Sequence, residues 1–434
     1  QDSIRQGFKS LPNGMKDSGV EWLGMVPAHW EVKRLKYIAR FRSGESITSE
    51  NIEPEGQFPV YGGNGQRGFA SNYTHDGEFI LIGRQGALCG NINFANGKFW
   101  ASEHAVVVRS TAKIVVRWLG ELLYAMNLNQ YNISAAQPGL AVERIQELAI
   151  PLPPLSEQRA IAAYLDRETA RIDTLIAKQE QLIALIDEKR QALISHAVTK
   201  GVSHSIRQGF KSLPNGMKDS GVEWLGAIPE HWEVKRLKYV LNLVTRKVPV
   251  GSSKAIALEN IQSWTGNIVE SETEYESEGI EFHAGDILFG KLRPYLAKVY
   301  RAESNGISVG DIFVLRAGNQ NSTHFYSLIL RTRDYISAID SSTYGAKMPR
   351  VSWEYFSNLP IPLPPLDEQR AIAAYLDRET AKLDTLKAKA QSAIELLREK
   401  RSALISAAVT GKIDIRPDFI RQGFKSLPNE NRGE

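Results

Sequence analysis

Arg84 and Gln85 lie between Gly83 and Gly86 at the end of an apolar run, and Lys291 and Arg293 follow a second such run that ends at Gly290. A strand that ends in a loop is a rigid mount for side chains that must meet a partner at defined positions. These residue types offer hydrogen bonding to base edges. Arg matches O6 and N7 of guanine, and Gln or Asn matches N6 and N7 of adenine. The loop from Tyr61 to Arg67 sets Asn64, Gln66 and Arg67 among Gly62, Gly63 and Gly65, which permit close approach. Another candidate is Ser341 to Arg350, with Tyr344, Lys347 and Arg350, matched in the first half of the chain by Gln137-Pro138. Tyr295 completes the set. Taken singly, each of these side chains also fits a turn or a surface charge.

The motifs that mark covalent or hydrolytic chemistry are missing from the sequence. There is no Gly-x4-Gly-Lys-Ser/Thr phosphate loop and no Asn/Asp-Pro-Pro-Tyr/Phe methyltransferase motif. The eight His residues show no metal-ligand spacing, so no metal is expected. Glu103-His104 would be an acid–base pair, but neighbours on a strand point to opposite faces. Cys89 is the single cysteine and reads as a small buried residue in a reducing cytoplasm. With 434 residues, 42% of them hydrophobic and 24% charged, the chain has room for two or three folded domains. No apolar run approaches the ~20 residues that cross a bilayer. No basic-then-apolar leader is seen at the start, although the chain opens at Gln1 rather than Met. The lone cysteine and the lack of a long apolar run lead to the expectation of a cytoplasmic protein without a membrane partner.

The elements that must position the candidate loops are written twice. Residues 4–24 return unchanged at 206–226, and His29 to Tyr37 returns as His231 to Tyr239. Residues 150–170 return at 361–381 with one change, Ser156 to Asp367. Between these blocks, about 40–149 and 242–360 share almost no identity. IRQGFKSLPN occurs a third time at 420–429, which suggests a cyclic organisation around a pseudo-two-fold axis.

After each proline block a long helix is expected. Pro151 to Pro154 and Pro362 to Pro365 are extended entries, Ser156 and Asp367 take the N-cap position, and Gly201 and Gly411 mark the ends. Leu165, Ile172, Gln179, Ile186 and Leu193 fall seven apart, as do Leu376, Leu383, Ala390, Leu397 and Leu404. Leu175-Ile176, Leu182-Ile183, Leu386 and Ile394 fill out the stripe. Such heptads predict a coiled-coil seam, most simply an antiparallel pair within the chain. The first helix carries seven basic and seven acidic residues over 155–200, and Asp187-Glu188-Lys189 reads as a solvated face.

The inserts read as mixed α/β, with elements in similar order. The first predicts strands at 77–83, 91–94 and 105–109 and a helix from Arg117 to Met126. The second predicts strands at 285–290, 297–300 and 312–315 and one helix from Thr323 to Ile339. The expected segments are an N-terminal repeat (1–24), a first recognition domain (25–154), a central helix (155–201) and a repeat linker (202–226). A second recognition domain (227–365), a distal helix (366–411) and a tail (412–434) follow. The first recognition domain has 12 basic and 11 acidic residues, the second 15 and 15. Phosphate affinity grows with the number of neutralising cations, so neither domain reads as a tight nucleic-acid binder on its own, and any such grip is expected to come in large part from partners.

Gly-x-x-Pro-x-His-Trp-Glu-Val at 24–32 and 226–234, with Leu-Pro-Pro-Leu-x-Glu-Gln-Arg-Ala-Ile-Ala at 152–162 and 363–373, resembles the specificity subunits of type I restriction–modification enzymes. The resemblance runs over essentially the whole chain, twice. It implies a non-catalytic subunit that reads a split, asymmetric site in double-stranded DNA, one half per recognition domain. It further implies two methyltransferase subunits that use S-adenosylmethionine, and restriction subunits that use ATP and Mg2+. No cofactor is expected in this chain. A stand-alone DNA-binding regulator would need tighter binding than the near-neutral charge suggests, and a coiled-coil scaffold would not need two diverged inserts.

Overall fold

The computed structural model describes residues 14–86, 89–132, 139–202, 216–250, 255–269, 278–341, 343, 348–413 and 415. Its helices are α1 (Val116–Ala125), α2 (Val142–Glu147), α3 (Leu155–Lys200), α4 (Thr323–Ile329), α5 (Arg333–Asp340), α6 (Trp353–Asn358) and α7 (Leu366–Val409). The chain divides into two compact units, Gln1–Gln179 with Ser392–Glu434, and Glu180–Gln391. The division cuts both long helices. Each unit therefore combines one insert with the start of the helix that follows it and the end of the other helix.

The prolines set the helix starts. Amides of Glu157 and Gln158 donate to the Pro154 carbonyl (2.9 and 3.0 Å), and those of Glu368 and Gln369 donate to Pro365 in the same way. Each helix begins at the leucine after the proline pair, so Ser156 and Asp367 fall within the first turn and do not cap it. The helices stop at Gly201 (φ 75°) and Gly411 (φ 74°), the left-handed conformation that glycine reaches without a Cβ clash. A Cβ on Gly411 would also meet the Pro27 ring at 2.4 Å, so the end of α7 is seated on the opening block of the first unit.

The two long helices meet inside each unit. In the first, Arg401 of α7 pairs with Asp173 of α3 at 3.1 Å. In the second, Asp187 pairs with Lys387 (2.7 Å) and Arg190 with Asp384 (3.6 Å), so α7 steps back as α3 advances and the helices run antiparallel. Asp187 is thus half-buried and paired, whereas its sequence context suggested a solvated face. Leu165, Ile172, Ile186, Leu376 and Leu383 are buried, and Leu193, Leu397 and Leu404 are half-buried. Leu175, Leu182 and Leu386 are exposed, so the buried stripe is narrower than the sequence predicted.

The first unit holds a six-stranded sheet. Its order is Ala39–Ser43, Ala105–Ser110, His75–Gly83, Ile92–Ala101, Phe58–Gly62 and Gly65–Ala70, antiparallel except where Phe58–Gly62 meets Ile92–Ala101. The second unit repeats the first four positions as Leu241–Val244, Ile312–Ala317, Ile287–Gly290 and Val299–Arg301. Lys247–Pro249, Glu278–Phe282, Gly306–Ser308 and Ala255–Ile256 form a separate sheet there. One order thus recurs on two sequences with almost no residue identity. The single helix expected over 323–339 is two, α4 and α5. Thr332 breaks it with an extended backbone (ψ 145°) and a hydroxyl that donates to the Ile329 carbonyl at 2.8 Å.

Each unit has its own main core. Trp118, Leu119, Leu122 and Leu123 of α1 pack with Ile80, Val106, Leu165 and the end of α7 (Ile405, Ala408, Val409). In the second unit Phe325, Tyr326 and Ile329 of α4 pack with Ile287, Phe289, Leu376 and the end of α3 (Ile194, Ala197, Val198). Among the described residues no helix is long and apolar enough to cross a membrane.

Candidate nucleic-acid interface

The two duplicated motifs turn out to be halves of one clamp. Glu31–Arg34 pairs antiparallel with Ala149–Leu152, and Glu233–Arg236 with Pro360–Leu363. Both are isolated two-stranded ribbons, where a proline within a strand is tolerated. His29 Nε2 and Trp30 Nε1 reach the Glu157 carboxylate, each at 2.8 Å, and His231 Nε2 meets Glu368 at 2.7 Å. Gln158 accepts from the Val115 amide at the start of α1 (3.0 Å) and donates to the Pro153 carbonyl (2.9 Å). Gln369 does the same for the Ser322 amide at the start of α4 (2.8 Å) and for Pro364 (2.8 Å). Sequence reasoning missed these roles of the Glu-Gln pair, although its recurrence beside the prolines was the available signal. Each insert is thereby closed at its base and fixed to the helix that follows it.

In the first unit the candidate loops come together. Arg84 and Gln85 follow the strand His75–Gly83. Their loop is held by the Arg84 amide donating to His104 O (2.9 Å), the Leu140 amide donating to Arg84 O (3.0 Å) and a bridge between Gln85 and Gly139. The turn at Gly63-Asn64 lies beside it, since a Cβ on Gly63 would stand 3.2 Å from His104 O and 3.6 Å from Gln85 O. Asn64, Gln66, Arg67 and Gln85 are exposed, and Arg84 is half-buried. Asn64 Oδ1 accepts from Asn91 Nδ2 at 3.2 Å, which adds Asn91 to the polar cluster. Beneath the loop, buried Cys89 donates Sγ–H to Arg84 O at 3.3 Å, and burial pushes its thiol up from the ordinary value. Glu103 and His104 form a turn and meet at 3.3 Å, so the expectation that they point apart on a strand is corrected.

The second unit repeats this backbone with other side chains. The Lys291 amide donates to Asp311 O (2.9 Å), the Val351 amide to Lys291 O (3.0 Å) and the Arg293 amide to Pro349 O (2.7 Å). Leu292 bridges Arg350. Lys291 and Arg350 converge on the Asp311 carboxylate, at 3.5 and 2.7 Å. Sequence reasoning did not find Asp311, which the strand order carries to the loop from twenty residues away. Arg293 and Tyr295 are exposed. At the base of the strand, Asp286 takes Arg316 through two bonds of 2.8 and 2.6 Å and caps the His283 amide at 2.8 Å. Gln137, Tyr344 and Lys347 lie outside the described residues, as does the third repeat at 420–429. The segment 348–350 meets the 291–293 loop in the second unit as 139–140 meets 84–85 in the first, a pairing the sequence did not predict.

The arrangement offers hydrogen-bond donors and acceptors on fixed loops and on one hairpin. The loop expected over Tyr61 to Arg67 is only the turn Gly63-Asn64, with Gln66 and Arg67 on the paired strand Gly65–Ala70. Among the described residues no cluster of three or more His, Cys, Asp or Glu side chains is set to hold a metal ion.

Residues 27–184 and 229–396 match the family model described as the type I restriction modification DNA specificity domain. The EcoDI specificity subunit, from a type I restriction enzyme of Escherichia coli, is 24% identical over 422 residues, 92% of this chain and 93% of that subunit. The EcoprrI specificity subunit, also from Escherichia coli, is 48% identical over 139 residues, 31% of this chain and 35% of that subunit. A chain from a structure solved to explain complex assembly and conformational transition of the type I R-M system aligns with a TM-score of 0.63 at 18% identity. That alignment covers 89% of this chain and 99% of the other, and speaks for the fold. With the family model matched twice and over most of its length, the chain belongs to the type I restriction–modification DNA specificity family.

Proposed function

We propose that this chain is the non-catalytic DNA-reading subunit of a type I restriction–modification complex and that it reads a two-part, asymmetric target. The observation that carries the proposal is that one sheet order and one loop pairing occur in both units while the loop side chains differ. The first unit presents Asn64, Gln66, Arg67, Arg84, Gln85 and Asn91, a set rich in amides. The second presents Arg293 and Tyr295, beside Lys291 and Arg350 that are held on Asp311, a set rich in cations. Different side chains on one backbone suit two different half-sites. The long helices, which both units share, are the natural elements to set the unread gap and to dock partners.

The partners in this reading are two methyltransferase subunits, which use S-adenosylmethionine to modify adenine, and restriction subunits, which use ATP and Mg2+. This chain holds no cofactor of its own and works in the cytoplasm. Its near-neutral recognition domains support leaving much of the phosphate grip to the assembly. The test is to express the chain with its methyltransferase subunit and map the modified adenines. A gapped motif with one modified adenine in each half is expected. A continuous motif, or a pattern that persists without this chain, contradicts the proposal.

A further inference from the structure

We propose that Arg293 reads a guanine in the half-site assigned to the second unit, taking O6 and N7 with both arms of its guanidinium. The inference rests on the reading of this chain as a DNA-specificity subunit and adds which residue reads which base.

Arg293 adopts a left-handed backbone, φ 50° and ψ 59°. A side chain with a Cβ seldom settles there, and non-glycine residues that do are held by their surroundings and gather at functional sites. The equivalent position of the first unit shows what the backbone alone would prefer. Gln85 bridges Gly139 as Leu292 bridges Arg350, and Arg84 O accepts from Leu140 as Lys291 O accepts from Val351. In that alignment Arg293 stands where the first unit has Gly86, at φ 85°. The second unit keeps an arginine where the loop favours glycine.

The surroundings hold the strain in place. The Arg293 amide donates to Pro349 O at 2.7 Å, its carbonyl accepts from Leu296 at 3.0 Å, and the Lys291 amide is tied to Asp311 at 2.9 Å. Neighbouring cations are already engaged, since Lys291 and Arg350 both face the Asp311 carboxylate. Arg293 is exposed, and its guanidinium makes no hydrogen bond or ion pair with the described residues. The loop therefore carries one uncommitted guanidinium on a fixed mount. A phosphate contact needs charge and tolerates a mobile side chain, whereas a bidentate base contact needs a planar fork at a fixed position. The fixed mount favours guanine.

The test uses the full chain with its methyltransferase subunit, mapping modified sites for the parent, Arg293→Gly and Arg293→Lys. Replacing the second insert identifies which half of the motif belongs to the second unit. That half is expected to contain a guanine, and both variants should lose roughly tenfold or more of the discrimination at that base alone. Arg293→Gly also removes the backbone strain, so its Tm should match or exceed the parent's, which separates lost reading from lost folding. Three results overturn the inference alone: a second half-site without guanine, a motif unchanged in Arg293→Gly, or weakening at all positions equally, which marks a phosphate contact. A parent chain that directs no gapped motif overturns the specificity reading and this inference with it.

Discussion

Glu121 shows how single residues trade stability for position. It lies on α1 with its side chain 5% exposed, 2.9 Å from Arg117, which also holds Asp166 of α3 at 2.6 Å. Burial raises the Glu121 carboxyl above the ordinary glutamate value of 4.5, and the nearby Arg117 and Arg401 only partly oppose it. A carboxyl raised on folding contributes stability that is full below the unfolded value and is lost as pH climbs through the folded value. Glu121→Gln should therefore raise Tm relative to the parent at pH 8, and the advantage should shrink as pH falls toward 5. An advantage that does not change with pH contradicts this. The loop residues were legible one by one, because Arg, Gln and Asn beside glycine advertise themselves. Their committed partners were not, because Asp311 reaches Lys291 and Arg350 only through strand order, and the left-handed backbone at Arg293 has no glycine to betray it.

At the scale of elements, heptad spacing identified the long helices but overstated the width of their buried stripe. A pair of helices covers one stripe on each, so residues just off it stay in water. Leu165 and Leu376 are 0% exposed, whereas Leu175 is 41% and Leu386 51% exposed. Leu165→Ala and Leu376→Ala should each cost about 2–5 kcal/mol in denaturant unfolding, while Leu175→Ala and Leu386→Ala should stay within about 0.5 kcal/mol. Equal losses at the four positions would mean that the outer leucines are buried too. Proline pairs located the helix starts to within two residues. Which carbonyl caps them was hidden, because Ser156 and Asp367 are good N-cap types in their own right. Thr332 was overlooked as a helix breaker for a similar reason: its effect comes from a hydroxyl bond to Ile329 and an extended backbone, and leaves no proline or glycine as a sign.

For the molecule as a whole, the duplication was the most legible feature, and its physical content is the clamp. His29, Trp30 and Glu157 close one insert, and His231 and Glu368 close the other. Each insert also packs on the end of the helix that the other insert precedes, as the seat of Gly411 on Pro27 illustrates. The sequence does not reveal that the long helices are shared between units, because the burial of Leu165 and Ile405 in one core leaves no local trace. The central claim is that the repeated frame is common to both units and the inserts alone choose the bases. It is tested most directly by replacing residues 39–148 with residues 241–359 of the same chain, expressing the product with the methyltransferase subunit, and mapping methylated adenines. The account predicts that both half-sites then carry the bases formerly found in the second half, with the gap retained. An unchanged motif, or an assembled complex that methylates no gapped site, would contradict it.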